Sequence, residues 1–395
     1  MRRVEPAERR ARLARRHHLA AESRTDDVAA IAGDVLGLHA TDAATVHLSA
    51  AVRMRRPDPA AVDDALYERR SVVRMLGMRR TMFVVPVPLW PVVQAACTRD
   101  IAARERARTI RFLDESHIAE TTDDPAGWLA RVERETLAVL SERGDALPAE
   151  LSGVVPELRE QIEVGQHTRW PAKISMSSRV LFLLSADGHI VRGRPRGSWT
   201  SMQYRWSPVD VWLDGHPTDP PSPDVARVEL ARRWLRSFGP GTVADLKWWT
   251  GWTAGQVKRA LADIDAVAVD LDGTTGLVLA DDAGPADAVA PWAALLPALD
   301  PTTMGWAARD WYLGEHRAAL FDRNGNAGPT VWWDGRVVGG WAQRTDGEIA
   351  VRLLDDVGTD ARTAIDAEAE RVAAWLGERR FVPKFRTPLE RELTA

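Results

Sequence analysis

The run VLGLHATDAATVHLSA, Val35 to Ala50, places two histidines, two threonines and an aspartate in an otherwise apolar stretch. A neutral imidazole at His39 offers one donor and one acceptor and titrates near neutrality. The Thr41 hydroxyl can hold a water, and the Asp42 carboxylate can stabilise positive charge if the chain turns it toward a reacting group. The same residues have a structural use. Thr41 or Asp42 directly before AATVHLSAAVRM has the form of a helix N-cap, whose oxygen satisfies open backbone amides. His39 fits half-buried packing equally well, and His47 reads as structural.

Other chemistries find no support. The scattered glycines form no phosphate-binding loop and no GxSxG elbow is present. His17 and His18 are adjacent, and no Cys or His cluster has zinc spacing, so no metal and no cofactor are expected.

The chain that must position these groups has 395 residues, which implies roughly two to four domains. Its hydrophobic share of 45% and charged share of 27% are those of a soluble globular protein. The single cysteine, Cys97, cannot form an internal disulfide, which suits a reducing cytoplasm. Pro86, Pro88 and Pro91 interrupt the longest apolar run, and the N-terminus lacks the apolar stretch of a secretory signal. A cytoplasmic monomer with no membrane association is expected.

A net charge of -4 hides an uneven distribution. Met1 to Arg24 holds eight arginines against three glutamates, and Arg169 to Trp206 holds seven basic residues against Asp187 alone. Ala266 to Asp287 carries five aspartates and no base. Most tryptophans are expected in the core, but Trp199, Tyr204 and Trp206 lie in the most basic stretch, where rings can stack on bases.

One unit recurs along the chain. DVARVELARRWLRSFGP has apolar residues at helical spacing and ends at Gly239 and Pro240. Thr242 and Thr253 cap the two short helices that follow, and AVAVDLDGTTGLVLAD is a hairpin turning at Asp272-Gly273. Helix, helix, helix and hairpin is the winged-helix layout. A second copy covers about residues 127 to 207, with HIVRGRPRGSWTSMQYRW as strand, basic turn and strand. A third, less regular copy fills the first hundred residues and ends in SVVRMLGMRRTMFVVP. From about 290 the Asp334-Gly335 and Asp346-Gly347 turns mark an antiparallel meander, followed by one long helix.

The ordered segments GLHATDAATVHLSA, MRRTMFVVP, GSWTSMQYRW, FGPGTVADLKWWTG, LLPALDPTTMGWAARDWYL and DGRVVGGWAQ together resemble the bacterial tandem winged-helix proteins that include the AlkZ and YcaQ DNA glycosylases. The resemblance spans nearly the whole chain. It implies an α+β protein in which three winged-helix units, 1–126, 127–221 and 222–289, form a curved DNA-binding channel, with an antiparallel β-rich α+β domain over 290–395. It also implies excision of bulky alkylated purines, or unhooking of interstrand crosslinks, from double-stranded DNA. The family's catalytic motif is glutamine, an apolar residue, then glutamine or aspartate, directly after a Gly-Leu pair. Here that pair is Gly37-Leu38, so His39, Ala40 and Thr41 occupy the motif and neither polar position keeps the family residue.

The expected catalytic residues are therefore His39 and Thr41, with Asp42 as a helper. The expected DNA contacts are Arg79, Arg80, Arg192, Arg194, Arg196, Trp199, Gln203, Tyr204 and Arg205. The alternative is a winged-helix protein that holds DNA or a genotoxin without excision, including a transcription regulator.

Overall fold

The computed structural model describes residues 1–116, 123–164, 172–216 and 218–395. Its first segment contains β1 (Arg2–Arg3), α1 (Pro6–Arg16), α2 (Val28–Asp34), β2 (Leu38–His39), α3 (Ala43–Arg53), β3 (Val72–Leu76) and β4 (Met82–Pro86). Asp27 caps α2 by accepting from the amides of Ala29 and Ala30. The helix ends where Leu36 and Gly37 adopt left-handed conformations at φ 53° and 106°, which turns the chain into β2. A side chain at Gly37 would meet Val85 Cγ1 at 3.1 Å, so the glycine serves both the turn and the close approach of β4. The sheet order is β2-β4-β3, with His39 opposite Phe83.

The second segment contains α4 (Arg99–Glu115), α5 (Pro125–Arg143), α6 (Pro148–Val154), β5 (Gln161–Val164), β6 (Ala172–Ser175), α7 (Met176–Ala186), β7 (Ile190–Pro195) and β8 (Tyr204–Pro208). The expected helices and the hairpin are present. Between α6 and α7, where only a connection was expected, the chain builds the antiparallel β5–β6 ribbon. Its strands are four residues each, too short for an alternating pattern to stand out. Arg169 lies outside the described residues.

The third segment follows its sequence pattern closely: α8 (Pro223–Phe238), α9 (Val243–Thr250), α10 (Ala254–Ala262), β9 (Ala266–Leu271) and β10 (Thr274–Leu279). Thr242 and Thr253 each form a capping box, with Asp245 and Gln256 respectively. Asp272 and Gly273 make the tight turn with φ of 55° and 85°. One pairing was not expected: β1 lies parallel to β9 and widens this hairpin to three strands. The last segment is the meander β11 (Ala293–Leu296), β12 (Thr330–Trp333), β13 (Arg336–Gln343) and β14 (Ile349–Leu353), covered by α11 (Gly358–Leu376).

One hydrophobic core, from Leu13 to Leu393, joins the first and third segments and the meander and takes in Ala186 and Val191 of the second, where other apolar residues from Phe112 to Trp206 build a separate core. A fully buried ion pair fixes α3 to the loop after β11. Arg53 donates to both oxygens of Asp300 at 2.7 and 2.8 Å, and Ser49 and Thr302 complete the network. Breaking such a pair leaves an uncompensated buried charge, typically about 3–5 kcal/mol. The N-terminal arginines are also engaged: Arg3 pairs with Asp272, and Arg12 and Arg16 with Asp282. Among the described residues no helix is long and apolar enough to cross a membrane.

Candidate active site and nucleic-acid interface

His39 and Thr41 stand two apart on extended backbone, because the β2–β4 ladder continues through a hydrogen bond from Ala40 N to Met82 O at 2.7 Å. Extended chain puts alternate side chains on opposite faces. Leu38 and Ala40 accordingly enter the core with no exposure, while His39 and Thr41 share the other face. His39 is 4% exposed and packs its ring on Phe83 at 5.2 Å.

Burial, reinforced by the positive Arg79, pushes the His39 imidazole down to about 3, so it is neutral at physiological pH. The Thr41 amide donates to His39 Nδ1 at 3.4 Å, a long contact that places the proton of the neutral ring on Nε2. Among the described residues Nε2 has no hydrogen-bond partner. Thr41 is half-buried, and its Oγ1 accepts from Met82 N at 3.3 Å.

Of the two residues that could cap α3, Asp42 does so. Its Oδ1 accepts from Ala44 N at 3.0 Å, and its Oδ2 accepts from Lys384 N at 2.7 Å, tying the segment after α11 to this corner. Asp42 thus has both oxygens committed to amides, and Thr41 is free of capping duty. His47, one turn into α3, is fully buried and bonded to Asp63 at 3.0 Å.

The β3–β4 turn carries Arg79 and Arg80, both left-handed at φ 53° and 62°. Arg79 lies over the Trp248 ring at 3.9 Å and closes on the turn after α9, where a Cβ at Gly251 would come within 3.3 Å of Arg79 Cγ. Arg309 sits over the same ring at 4.7 Å. Burial and the neighbouring Arg309 lower Arg79 to about 10, which leaves it charged at neutral pH. Neither arginine has a carboxylate partner among the described residues, whereas Arg80 pairs with Glu105 at 3.0 Å.

The β7–β8 hairpin divides the remaining candidates. Arg194 pairs with Glu68 at 2.5 Å, and Arg205 pairs with Asp145 and Glu150 at 2.7 and 3.2 Å. Arg192 and the exposed Arg196 make no ion pair among the described residues. Gln203 is exposed, and its carbonyl accepts from Arg196 N. Tyr204 is buried beneath Arg192, with Trp206 beside it. Trp199, expected on a groove surface, is 7% exposed and stacks on His47 at 4.9 Å and against Trp375. It anchors the hairpin tip to α3 and α11.

Trp248, Arg309 and Lys384 were not singled out from sequence. The first two lie within LKWWTG and GWAARDWYL, which gave the family order but no roles. Arg74 was also missed, although a charged residue inside the apolar run SVVRML is itself a signal. It is 2% exposed, with Nε and Nη1 unpartnered among the described residues. Among the described residues no group of three or more His, Cys, Asp or Glu side chains could hold a metal ion.

A family model described as DNA glycosylase AlkZ-like matches residues 32–375. The interstrand DNA cross-link repair glycosylase of Streptomyces sahachiroi is 29% identical over 170 residues, which are 41% of this chain and 46% of that protein. The match therefore spans less than half of the relative's length. The solved structure of Streptomyces sahachiroi DNA glycosylase AlkZ shares the fold, with a TM-score of 0.72 at 21% identity over 96% of this chain and 98% of the other.

Proposed function

The chain belongs to the AlkZ-like DNA glycosylase family, and from that membership we propose that it hydrolyses the N-glycosidic bond of bulky alkylated purines, or of crosslinked purines, in duplex DNA. Its three helix-and-hairpin segments act as winged-helix units around the duplex. The observation that carries this reading is the shared face of His39 and Thr41 at the position of the family motif.

The chemistry follows from the charges. A purine alkylated on N7 or N3 already carries positive charge and leaves without a strong general acid. The cost lies in the positive sugar and in aiming a water at its anomeric carbon. A neutral imidazole adds no repulsion to that sugar. His39 Nε2–H donates to the departing base, the half-exposed Thr41 hydroxyl accepts from the water and holds it toward the anomeric carbon, and the proton the water loses on attack passes to solvent. Arg79, free of carboxylates, takes a flanking phosphate.

A second reading has its own observation. Neither motif position keeps the family's amide or carboxylate, and Asp42 is fully engaged, which favours a protein that binds damaged DNA without excision. Incubation with a duplex carrying one N7-methylguanine, followed by a test for heat-labile abasic sites, separates the two. Excision is expected, and His39→Ala should slow it on the order of 100-fold while His39→Gln, which keeps a donor and an acceptor, retains more. Binding without excision by the wild type and by the double variant His39→Gln/Thr41→Gln supports the second reading.

A further inference from the structure

A groove of about 570 Å³ opens on the second segment, between the N-terminus of α7 and the β7–β8 hairpin. Phe182, Tyr204 and Trp206 give it aromatic walls, and Arg192, Arg196 and Ser177 also line it. Three of its polar atoms are buried and, among the described residues, without a hydrogen-bond partner: Ser177 Oγ, Tyr204 Oη and Arg192 Nε. Ser177 is 8% exposed and Tyr204 3% exposed, so leaving these groups unmet costs stability.

The charge at the groove is one-sided. Two guanidiniums lie near the Tyr204 ring, Arg74 at 4.8 Å and Arg192 at 5.6 Å from its centre, and Arg192 is also 5.2 Å from the centre of Trp206. Among the described residues neither arginine has a carboxylate partner, nor has Arg196. The nearby Glu150 is bonded to Leu147 N and paired with Arg205. Among the described residues no side chain caps α7, and although its Met176 amide donates to Glu160 O at 2.8 Å, the remaining first-turn amides add positive potential at the groove.

We propose that this groove is a nucleotide subsite, taking a base against its aromatic walls and a phosphate between Ser177, Arg192 and the α7 N-terminus. Base–aromatic stacking tolerates any base, and arginine with helix amides suits a phosphate. The ligand is an unpaired nucleotide of a DNA strand or a free nucleotide. The subsite deepens the DNA-binding reading of this hairpin but does not depend on excision.

Calorimetric titration of the full chain with deoxyadenosine 5′-monophosphate, deoxyadenosine and inorganic phosphate tests the composite chemistry. The monophosphate should bind at least about tenfold more tightly than either part, and Ser177→Ala, Tyr204→Phe and Arg196→Ser should each weaken it by about three- to tenfold without lowering the melting temperature of the free protein. Equal binding of monophosphate and phosphate, or binding indifferent to all three variants, overturns the proposal. Fluorescence anisotropy with a blunt duplex and one bearing a short single-stranded overhang distinguishes the sources. A preference for the overhang that Ser177→Ala removes assigns the subsite to a DNA strand; nucleotide binding without that preference assigns it to a free nucleotide. No arm reads excision, so a chain that binds the monophosphate yet leaves N7-methylguanine intact would refute the glycosylase reading alone.

Discussion

His39 shows how one residue can be conspicuous in sequence and altered in character by its surroundings. An imidazole with an ordinary value of 6.5 suggests a group that switches near neutrality, but burial and Arg79 hold it near 3. Its donor and acceptor are therefore constant features of the site, and excision should not show a histidine-like break near pH 6.5 on its account. Stability should show one. Between about 3 and 6.5 the unfolded chain binds a proton that folded His39 does not, so this contribution is complete above 6.5 and is lost as pH falls through that window. His17, fully buried against Thr302 and Ser237 and also held near 3, acts in the same sense. Melting temperatures should fall on acidification from about pH 7 to about pH 5, and His39→Gln should fall less steeply than wild type. Parallel curves for the two proteins would show that His39 is not the buried neutral group described.

Among the elements, β2 and α3 decide what each polar residue of the opening run can do. Two signals were readable there: a polar cluster before a helix, and Gly37-Leu38 at the end of another. The assignment of the cap was not, because a threonine and an aspartate in adjacent positions satisfy the same pattern. It is settled by two distant contacts, the Met82 amide that donates to Thr41 Oγ1 and the Lys384 amide that donates to Asp42. Periodicity carries no information about a partner 342 residues away. The same limit hid the docking of Trp199 on His47 and the pairing of β1 with β9, whereas the third segment was legible because its caps and turn are local. Asp42→Ala should accordingly cost about 1–2 kcal/mol in denaturant melts through loss of the α3 cap, with Asp42→Asn costing less, while Thr41→Ala costs well under that. A larger loss for Thr41→Ala than for Asp42→Ala would reverse the assignment of cap and water holder.

Across the whole molecule, the charge zones seen in the sequence are partly spent on one another. The basic N-terminus meets the acidic third hairpin through Arg3–Asp272, Arg12–Asp282 and Arg16–Asp282, so neither zone acts as the free patch its composition suggests. Within the arginine-rich hairpin the division is finer, since Arg194 and Arg205 are paired while Arg192 and Arg196 are open. Linear charge counts could not draw that line, because the partners Glu68 and Asp145 come from other elements. Each arginine that replaces counterions on a phosphate contributes about 0.9 to the slope of log affinity against log salt. An arginine already held by a carboxylate contributes less, because leaving its partner offsets part of the gain. Measured by anisotropy on an undamaged duplex over a range of salt, Arg79→Ser and Arg196→Ser should each lower the slope by about 0.9. Arg205→Ser and Arg3→Ser should leave it nearly unchanged. Replacing Arg192, Arg194 and Arg196 together should remove about two contacts' worth of slope, not three. A slope unmoved by that triple variant would exclude the hairpin from the DNA interface, and a full loss on Arg3→Ser would place the duplex against the N-terminus and third hairpin instead.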